Sequence, residues 1–498
     1  MLQKISSDSY RRLLAPVLSS SSSLSSTSIN RTEIERITII INGHPFPNHP
    51  IQPILAKHIP LSSLSPEFVS EVLGRLFAAH SNGLKALEFF KYSLKSSKSS
   101  PTSDSFEKTL HILARMRYFD QAWALMAEVR KDYPNLLSFK SMSILLCKIA
   151  KFGSYEETLE AFVKMEKEIF RKKFGVDEFN ILLRAFCTER EMKEARSIFE
   201  KLHSRFNPDV KTMNILLLGF KEAGDVTATE LFYHEMVKRG FKPNSVTYGI
   251  RIDGFCKKRN FGEALRLFED MDRLDFDITV QILTTLIHGS GVARNKIKAR
   301  QLFDEISKRG LTPDCGAYNA LMSSLMKCGD VSGAIKVMKE MEEKGIEPDS
   351  VTFHSMFIGM MKSKEFGFNG VCEYYQKMKE RSLVPKTPTI VMLMKLFCHN
   401  GEVNLGLDLW KYMLEKGYCP HGHALELLTT ALCARRRAND AFECSWQTVE
   451  RGRCVSEPVY RMLETSLSSN NELKKLEELK GEIQKLHSFL PPPEIQLI

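Results

Sequence analysis

Paired cysteines are the first thing this chain lacks. It holds 11 Cys in 498 residues, yet no C-x-x-C occurs, so neither a zinc ribbon nor a disulfide framework is expected. Nowhere do about 18 apolar residues run together, which excludes a membrane-spanning helix by length. Charge of one sign is scarcely in excess. Lys and Arg number 70 against 60 Asp and Glu, leaving +10, which permits nucleic-acid or membrane-surface partners without demanding them. No Ser-His-Asp or Cys-His set stands at a recognisable spacing. Gly289-Ser290-Gly291 hints at a phosphate loop, but it lies in a helical stretch with no strand before it. His421 and His423 lie near Cys419, in a turn that offers no fourth metal donor. No catalysis, cofactor or metal is expected.

What is present is ordinary in composition and unusual in arrangement. Hydrophobic residues make up 43% and charged residues 26%, as in a soluble folded protein. At this length, one core does not suffice, and either several domains or a repeat array is expected.

The N-terminus reads differently from the rest. Residues 1–36 are Ser-rich and poor in acids, with Lys4, Arg11, Arg12 and Arg31, and Leu2, Ile5, Leu13, Leu14 and Val17 can share an apolar face. That is the pattern of an organelle transit peptide, and no uninterrupted apolar core follows the charges as a secretory signal requires. The early paired arginines favour a mitochondrion over a plastid. Residues 37–66 read as a linker.

Beyond it the chain repeats itself. The segment 315–349, CGAYNALMSSLMKCGDVSGAIKVMKEMEEKGIEPD, aligns with 210–244, VKTMNILLLGFKEAGDVTATELFYHEMVKRGFKPN. Gly329-Asp330-Val331 matches Gly224-Asp225-Val226, and Gly-x-x-Pro recurs near each end. The same period places units at 245–279 and 280–314, and a shorter one at 176–209. Weaker copies are expected at 67–102, 103–135, 136–175, 350–386, 387–421 and 422–456. These are about eleven units of ~35 residues over 67–456, the length of known helical repeats. A partial repeat and a capping helix are expected over 457–498, with Leu473, Leu476, Leu479, Ile483 and Leu486 on one face.

Each unit predicts two helices. Tyr318, Leu321, Met322 and Leu325 recur at helical spacing, Cys328-Gly329-Asp330 interrupts them, and Val331, Ala334, Ile335, Met338 and Met341 form a second stripe. Lys344-Gly345 stops that helix, Pro348 cannot continue it, and Asp349 or Ser350 can cap the next. No unit can bury its stripes alone, so neighbours must stack into one continuous core. Cys147, Cys187, Cys256, Cys398 and Cys433 fall at the twelfth place of the units so drawn. A small buried slot in the stack accounts for them.

The string SVTYGIRIDGFCKKRNFGEALRLFEDM at 245–271 resembles the plant organellar pentatricopeptide repeat family, in its class without an appended catalytic domain. The tetratricopeptide repeat, with its 34-residue period and W-x₂-L-G-x₂-Y signature, does not fit. The resemblance implies an all-α, right-handed superhelical α-solenoid of helix-turn-helix repeats. It also implies single-stranded RNA as partner, read at about one base per repeat. In that family the fifth and last residues of a unit face the base. Carried over, Asn180 with Asp209 should prefer uracil, Asn214 with Asn244 cytosine or uracil, Thr284 with Asp314 guanine, and Asn319 with Asp349 uracil. Gly249 with Thr279 makes no choice, so the implied core is pyrimidine, pyrimidine, any, G, U, from 5′ to 3′. Glu107 with Asn135, His354 with Lys386 and Val391 with His421 match no family pair.

The second residue of a unit sandwiches the base in that family. Val246 and Val351 keep the usual valine, whereas Asp177, Lys211, Gln281 and Gly316 depart from it. Lys257, Lys327 and Lys362, at the thirteenth place, are candidates to meet phosphates. The H-x-E and C-x-x-C of an appended deaminase are missing, and 42 residues after 456 are too few for a nuclease domain. The resemblance therefore implies sequence-specific RNA binding in post-transcriptional processing, with mitochondrial intron splicing ahead of transcript stabilisation or translation. Other RNA-processing proteins are further possible partners. A protein-binding helical scaffold without RNA contact is the alternative.

Overall fold

The computed structural model describes residues 31–44, 50–78, 81–95, 100–416, 418, 421–450, 453–468 and 473–487. Among them the chain is helical throughout, with no strand, and forms a right-handed superhelical α-solenoid. The helices come in pairs whose first members begin at residues 31, 66, 103, 139, 176, 210, 245, 280, 315, 350, 387, 422 and 457. Along most of the array each first helix packs both on the next first helix and on its own second helix, while second helices of neighbouring pairs touch one another little. The side lined by first helices is therefore the inner one.

Local chemistry explains both ends of each helix. Thr102, Ser138, Asp209, Asn244, Asp314 and Asp349 precede first helices and accept backbone N–H groups of their first turns, satisfying donors the helix leaves open. In eight units the turn between the two helices has a left-handed residue at the fifteenth place. Gly224, Gly329 and Gly401 supply it without steric cost, but Arg117, Arg190, Arg259, Arg294 and Arg436 also adopt positive φ there.

The stack is keyed by a knob at the twelfth place of one unit and a glycine at the tenth place of the next. A Cβ on Gly219 would fall 2.7 Å from Cys187 Sγ, and one on Gly289 would fall 2.3 Å from Cys256 Sγ. At the next junction the roles invert. Gly291 takes the twelfth place, and a Cβ on it would meet the Ser324 Cα at 2.6 Å. The apparent phosphate loop at Gly289-Ser290-Gly291 is thus a point of close helix contact. Burial pushes the Cys187 and Cys256 thiols up to about 12, so they pack as small apolar groups.

Four expectations from the sequence need correction. The linker expected over 37–66 folds as part of the array's first helix pair, Arg31–Gly43 and Gln52–His58, which begins inside the segment drawn as transit peptide. Ile34, Ile37, Ile41, Ile51, Leu55 and Ile59 are buried there, a helical stripe obscured by prolines at 45, 47, 50, 53, 60 and 66. Buried Lys85 seals the junction with the second pair by donating to the Asn42 carbonyl at 2.6 Å. The rest of the expected transit peptide, residues 1–30, lies outside the described residues.

The unit boundary expected after Asn135 falls instead after Ser138. Ser138 and Ser141 form a reciprocal cap that starts the Phe139–Phe152 helix, whereas Pro134–Leu136 closes a short 3-10 turn. Cys147 consequently holds the ninth place of its unit, outside the twelfth-place slot. Finally, residues 457–487 form a full pair, Glu457–Ser468 and Leu473–His487, where a partial repeat was expected. Leu476 and Leu479 are buried and Ile483 packs against them; the Leu473 and Leu486 side chains lie outside the described part. The array thus has thirteen helix pairs among the described residues, against about eleven expected.

Candidate functional site

The fifth residue of each unit sits one turn into the first helix. Because first helices stack, these residues form a row with one member per unit. The last residue of a unit stands at the N-terminal cap position of the following first helix, beside that row, and Asp209, Asn244, Asp314 and Asp349 cap it with their side chains.

At two junctions three side chains lock together. Asn214 Nδ2 donates to Asn244 Oδ1 at 3.1 Å, and the Thr247 hydroxyl lies 2.8 Å from Asn214 Oδ1. Asn319 Nδ2 donates to Asp349 Oδ1 at 3.0 Å, and the Thr352 hydroxyl lies 2.6 Å from Asn319 Oδ1. Asp349 Oδ1 also accepts the backbone N–H groups of Val351 and Thr352, each at 2.9 Å. All of these bonds fall on one carboxylate oxygen, which leaves Oδ2 as an acceptor. At the other junction Asn244 Oδ1 is filled in the same way by the Thr247 N–H at 3.1 Å, which leaves the Asn244 amide as a donor. Burial opposes the Asp349 charge, but bonds from the Thr352 N–H and the Asn319 amide outweigh it and hold its pKa below the ordinary value. Asp349 is an acceptor and Asn244 a donor at neutral pH.

The other two expected pairs are arranged differently. Asp209 Oδ1 caps Thr212 at 2.8 Å and takes the Thr212 hydroxyl at 2.9 Å. Asn180 is only 3% exposed, and both polar atoms of its side chain are buried without a partner. Asp314 Oδ1 caps Ala317 at 2.8 Å, with half-buried Thr284 in the row beside that junction. At Gly249 a Cβ would meet nothing nearer than Ile282 at 3.7 Å, so the row has a notch there.

Outside this run the row carries engaged charges. With the boundary at Ser138, Glu107 pairs with Ser138 and not with Asn135. Ser138 Oγ donates to it at 2.7 Å, and Lys140 holds it at 2.6 Å. Asp177 and Lys211, at the second places of successive units, form an ion pair at 2.7 Å. His421 is a helix cap, its Nδ1 accepting the His423 N–H at 3.2 Å.

The flanking residues divide. Val246 stands 56% exposed beside the row, and Val351 is half-buried. Lys257 bridges Glu222 and Asp253 at 3.1 Å each, and the same carboxylates hold the buried Lys221 at 2.5 Å each. Its charge is therefore matched within the protein, contrary to the expected phosphate role. Lys327 rests against the His288 ring at 3.2 and 3.3 Å. Loss of water there, with Lys362 nearby, brings its pKa down to about 8. Lys362 is exposed and makes no ion pair among the described residues.

Sequence reasoning missed the threonines. Thr247 and Thr352 stand at the third place of the unit after the asparagine they touch, so the signal was available as a Thr thirty-three residues beyond an Asn.

These features define a helical-repeat solenoid whose row of fifth-place residues carries the short polar side chains of Asn180, Asn214, Thr284 and Asn319 along its inner face. The PPR repeat family matches residues 208–257 and 313–362, the pentatricopeptide repeat domain matches 266–326, and the PPR repeat matches 179–205, 246–276 and 391–418. The chain belongs to the pentatricopeptide repeat family. A putative pentatricopeptide repeat-containing protein of Arabidopsis thaliana is 36% identical over 206 residues, 41% of each chain. The chain thus aligns with less than half of that relative's length. A second Arabidopsis relative, mitochondrial by name, is 25% identical over 434 residues, covering 78% of this chain and 73% of its own. Among solved structures, maize PPR10 with an 18-nt psaJ RNA element is 17% identical, covering 91% of this chain and 79% of its own, with a TM-score of 0.33. Yeast Rmd9p with a 16-nt target RNA is 12% identical, covering 91% and 96%, with a TM-score of 0.30. No helix among the described residues is long and apolar enough to cross a membrane.

Proposed function

We propose that this protein binds single-stranded RNA by sequence and acts in organellar RNA processing without catalysing a reaction. The observation that carries this reading is the contrast between two junctions of the row. Asp349 keeps an acceptor oxygen and Asn244 keeps a donor amide, although both cap helices in the same way. Side chains so differentiated, spaced by whole units along the row, suit the edges of bases in one strand. The unpartnered Asn180 amide supports it as well. Leaving such a group buried costs about 1–3 kcal/mol, which a bound base edge would recover.

The RNA core that follows is pyrimidine, pyrimidine, any, G, U, read by Asn180 with Asp209, Asn214 with Asn244, Thr284 with Asp314, and Asn319 with Asp349. Val246 and Val351 flank the bases. Lys327 and Lys362 meet phosphates, whereas Lys257 can do so only by leaving its carboxylates. A binder of this kind acts by occupancy. We favour mitochondrial intron splicing, in which the protein holds an intron in a competent shape, ahead of protecting a transcript end or keeping a translation start unpaired. The mitochondrial names of relatives and the basic, Ser-rich residues 1–36 support that compartment. A fluorescent fusion of residues 1–36 that enters plastids would move the site of action there.

The test is to recover the tagged protein from isolated mitochondria and sequence the RNA that accompanies it. One transcript enriched at the expected core supports the reader, and its location selects the mechanism. Co-purifying proteins without enriched RNA favour a helical scaffold.

A further inference from the structure

His354 holds the fifth place of the unit that begins at Ser350, as Asn214 and Asn319 do in theirs. Thr389 holds the third place of the following unit, as Thr247 and Thr352 do. The Thr389 hydroxyl lies 2.8 Å from His354 Nδ1, against 2.8 and 2.6 Å for the two threonine–asparagine contacts. Thr389 is 2% exposed, and this is its side chain's one hydrogen bond among the described residues. Among the units that begin at 210 to 387, a third-place threonine follows Asn214, Asn319 and His354, whereas Gly249, Thr284 and Val391 are followed by Ile282, Ala317 and Ala424. His354 thus shares with the two asparagines a planar side chain met by a threonine hydroxyl from the next unit.

We propose that His354, oriented by Thr389, is a further base-reading side chain, and that with Lys386 it takes a base presenting two adjacent acceptors on one edge. Cytosine offers N3 with O2, and guanine offers N7 with O6. The proposal rests on the RNA reading above and extends its core by one base on the 3′ side. An asparagine Oδ1 can only accept, so at the two reference junctions the threonine proton points toward the reader. The same proton at Thr389 makes His354 Nδ1 an acceptor, and the neutral imidazole then carries its hydrogen on Nε2, on the side away from Thr389. Burial, aided by the charge of Lys386, holds the imidazolium pKa below its ordinary value and keeps the ring neutral. Lys386 stands at the helix cap but makes no side-chain cap bond, and its ammonium can only donate. Two donors face the base. Uracil separates its carbonyls by N3–H, and adenine sets a donor amino group beside N1 and N7.

The experiment uses the full chain, four RNAs that share the pyrimidine-pyrimidine-any-G-U core and differ only in the next base, and a fifth RNA in which A replaces the G at the fourth base. Cytosine and guanine should bind about tenfold tighter than adenine and uracil, toward the low end of discrimination by a bidentate contact. His354→Ala should abolish that preference while the preference for G at the fourth base persists. Thr389→Val keeps the shape but lacks the proton, so it should flatten the sixth-base preference alone, and Thr389→Ser should restore it. If Thr389→Val fails to fold by circular dichroism, His354→Ala and Thr389→Ser decide. Equal binding of all four RNAs, with fourth-base discrimination intact, overturns this proposal and leaves the RNA reading standing. Loss of discrimination at the fourth base in the unaltered protein overturns both.

Discussion

Thr352 reaches back across a unit boundary to Asn319, its hydroxyl 2.6 Å from the asparagine Oδ1. Asp349, which closes the unit, takes the Asn319 amide on its other side at 3.0 Å. Three side chains from two units thus set one amide, and the reading position belongs to the junction between repeats.

Asp349→Asn exchanges the outward carboxylate oxygen for an amide donor and reproduces the Asn214–Asn244 junction. Asparagine caps a helix as well as aspartate does, so the melting temperature should change little. Binding to the expected core should shift from U toward C at the fifth base by about tenfold, within the range for a well-placed polar contact. Paired titrations against the two RNAs check it.

The acid limb of stability should depend on the same carboxylate. Its folded pKa lies below the ordinary 3.8, so its contribution is complete above the unfolded value and is lost as pH falls through the folded one. Urea midpoints of the unaltered protein should therefore decline below about pH 4. Asp349→Asn should decline less steeply over that window.

Gly289→Ala places a methyl group 2.3 Å from Cys256 Sγ. Overpacking of this kind costs about 1–3 kcal/mol. Cys256→Ala should restore part of the loss in the double variant, because the added methyl then meets a shorter side chain. Gly291→Ala should be harder to rescue, since its methyl meets the Ser324 Cα. Chemical denaturation of the four chains measures the coupling.

Arg259 holds a left-handed conformation at φ 62, and its side chain makes no ion pair among the described residues. Gly occupies the same turn at Gly224 and Gly329. Arg259→Gly should raise stability by up to about 1 kcal/mol, the lower end of the steric cost of such a backbone for a residue with a Cβ. A thermal melt that falls instead would show that the added freedom of the unfolded glycine dominates.

A chain beginning at residue 31 should melt as the full chain does, because Ile34, Ile37 and Ile41 enter the core. One beginning at residue 66 strips the first helix pair from Val69, Val72 and Leu73. It should melt lower and bind a hydrophobic dye.

Much of this was legible in the chain itself. Period, helix stripes and caps are local properties, so a two-helix unit of about 35 residues could be read from the chain. At 135–138 two local signals competed. Pro134 read as a boundary, but the reciprocal cap of Ser138 and Ser141 satisfies two helix donors and sets the start of the helix. The first helix pair hid behind prolines, whose cost is small where they fall at a helix entrance such as Pro53. Lys257 and Lys327 occupy the same place in their units, and only their neighbours across the stack set one between two carboxylates and the other against the His288 ring.

The sequence by itself determined the class of fold and the row of candidate readers, because a fixed period repeats the same local physics in every unit. Only the tertiary structure decided what each reader presents. Whether Asn319, His354 or Asn180 offers a bonded or an unpartnered group depends on hydroxyls and caps contributed by the next repeat. Those contacts form only when stacking brings residues some thirty positions apart within 3 Å.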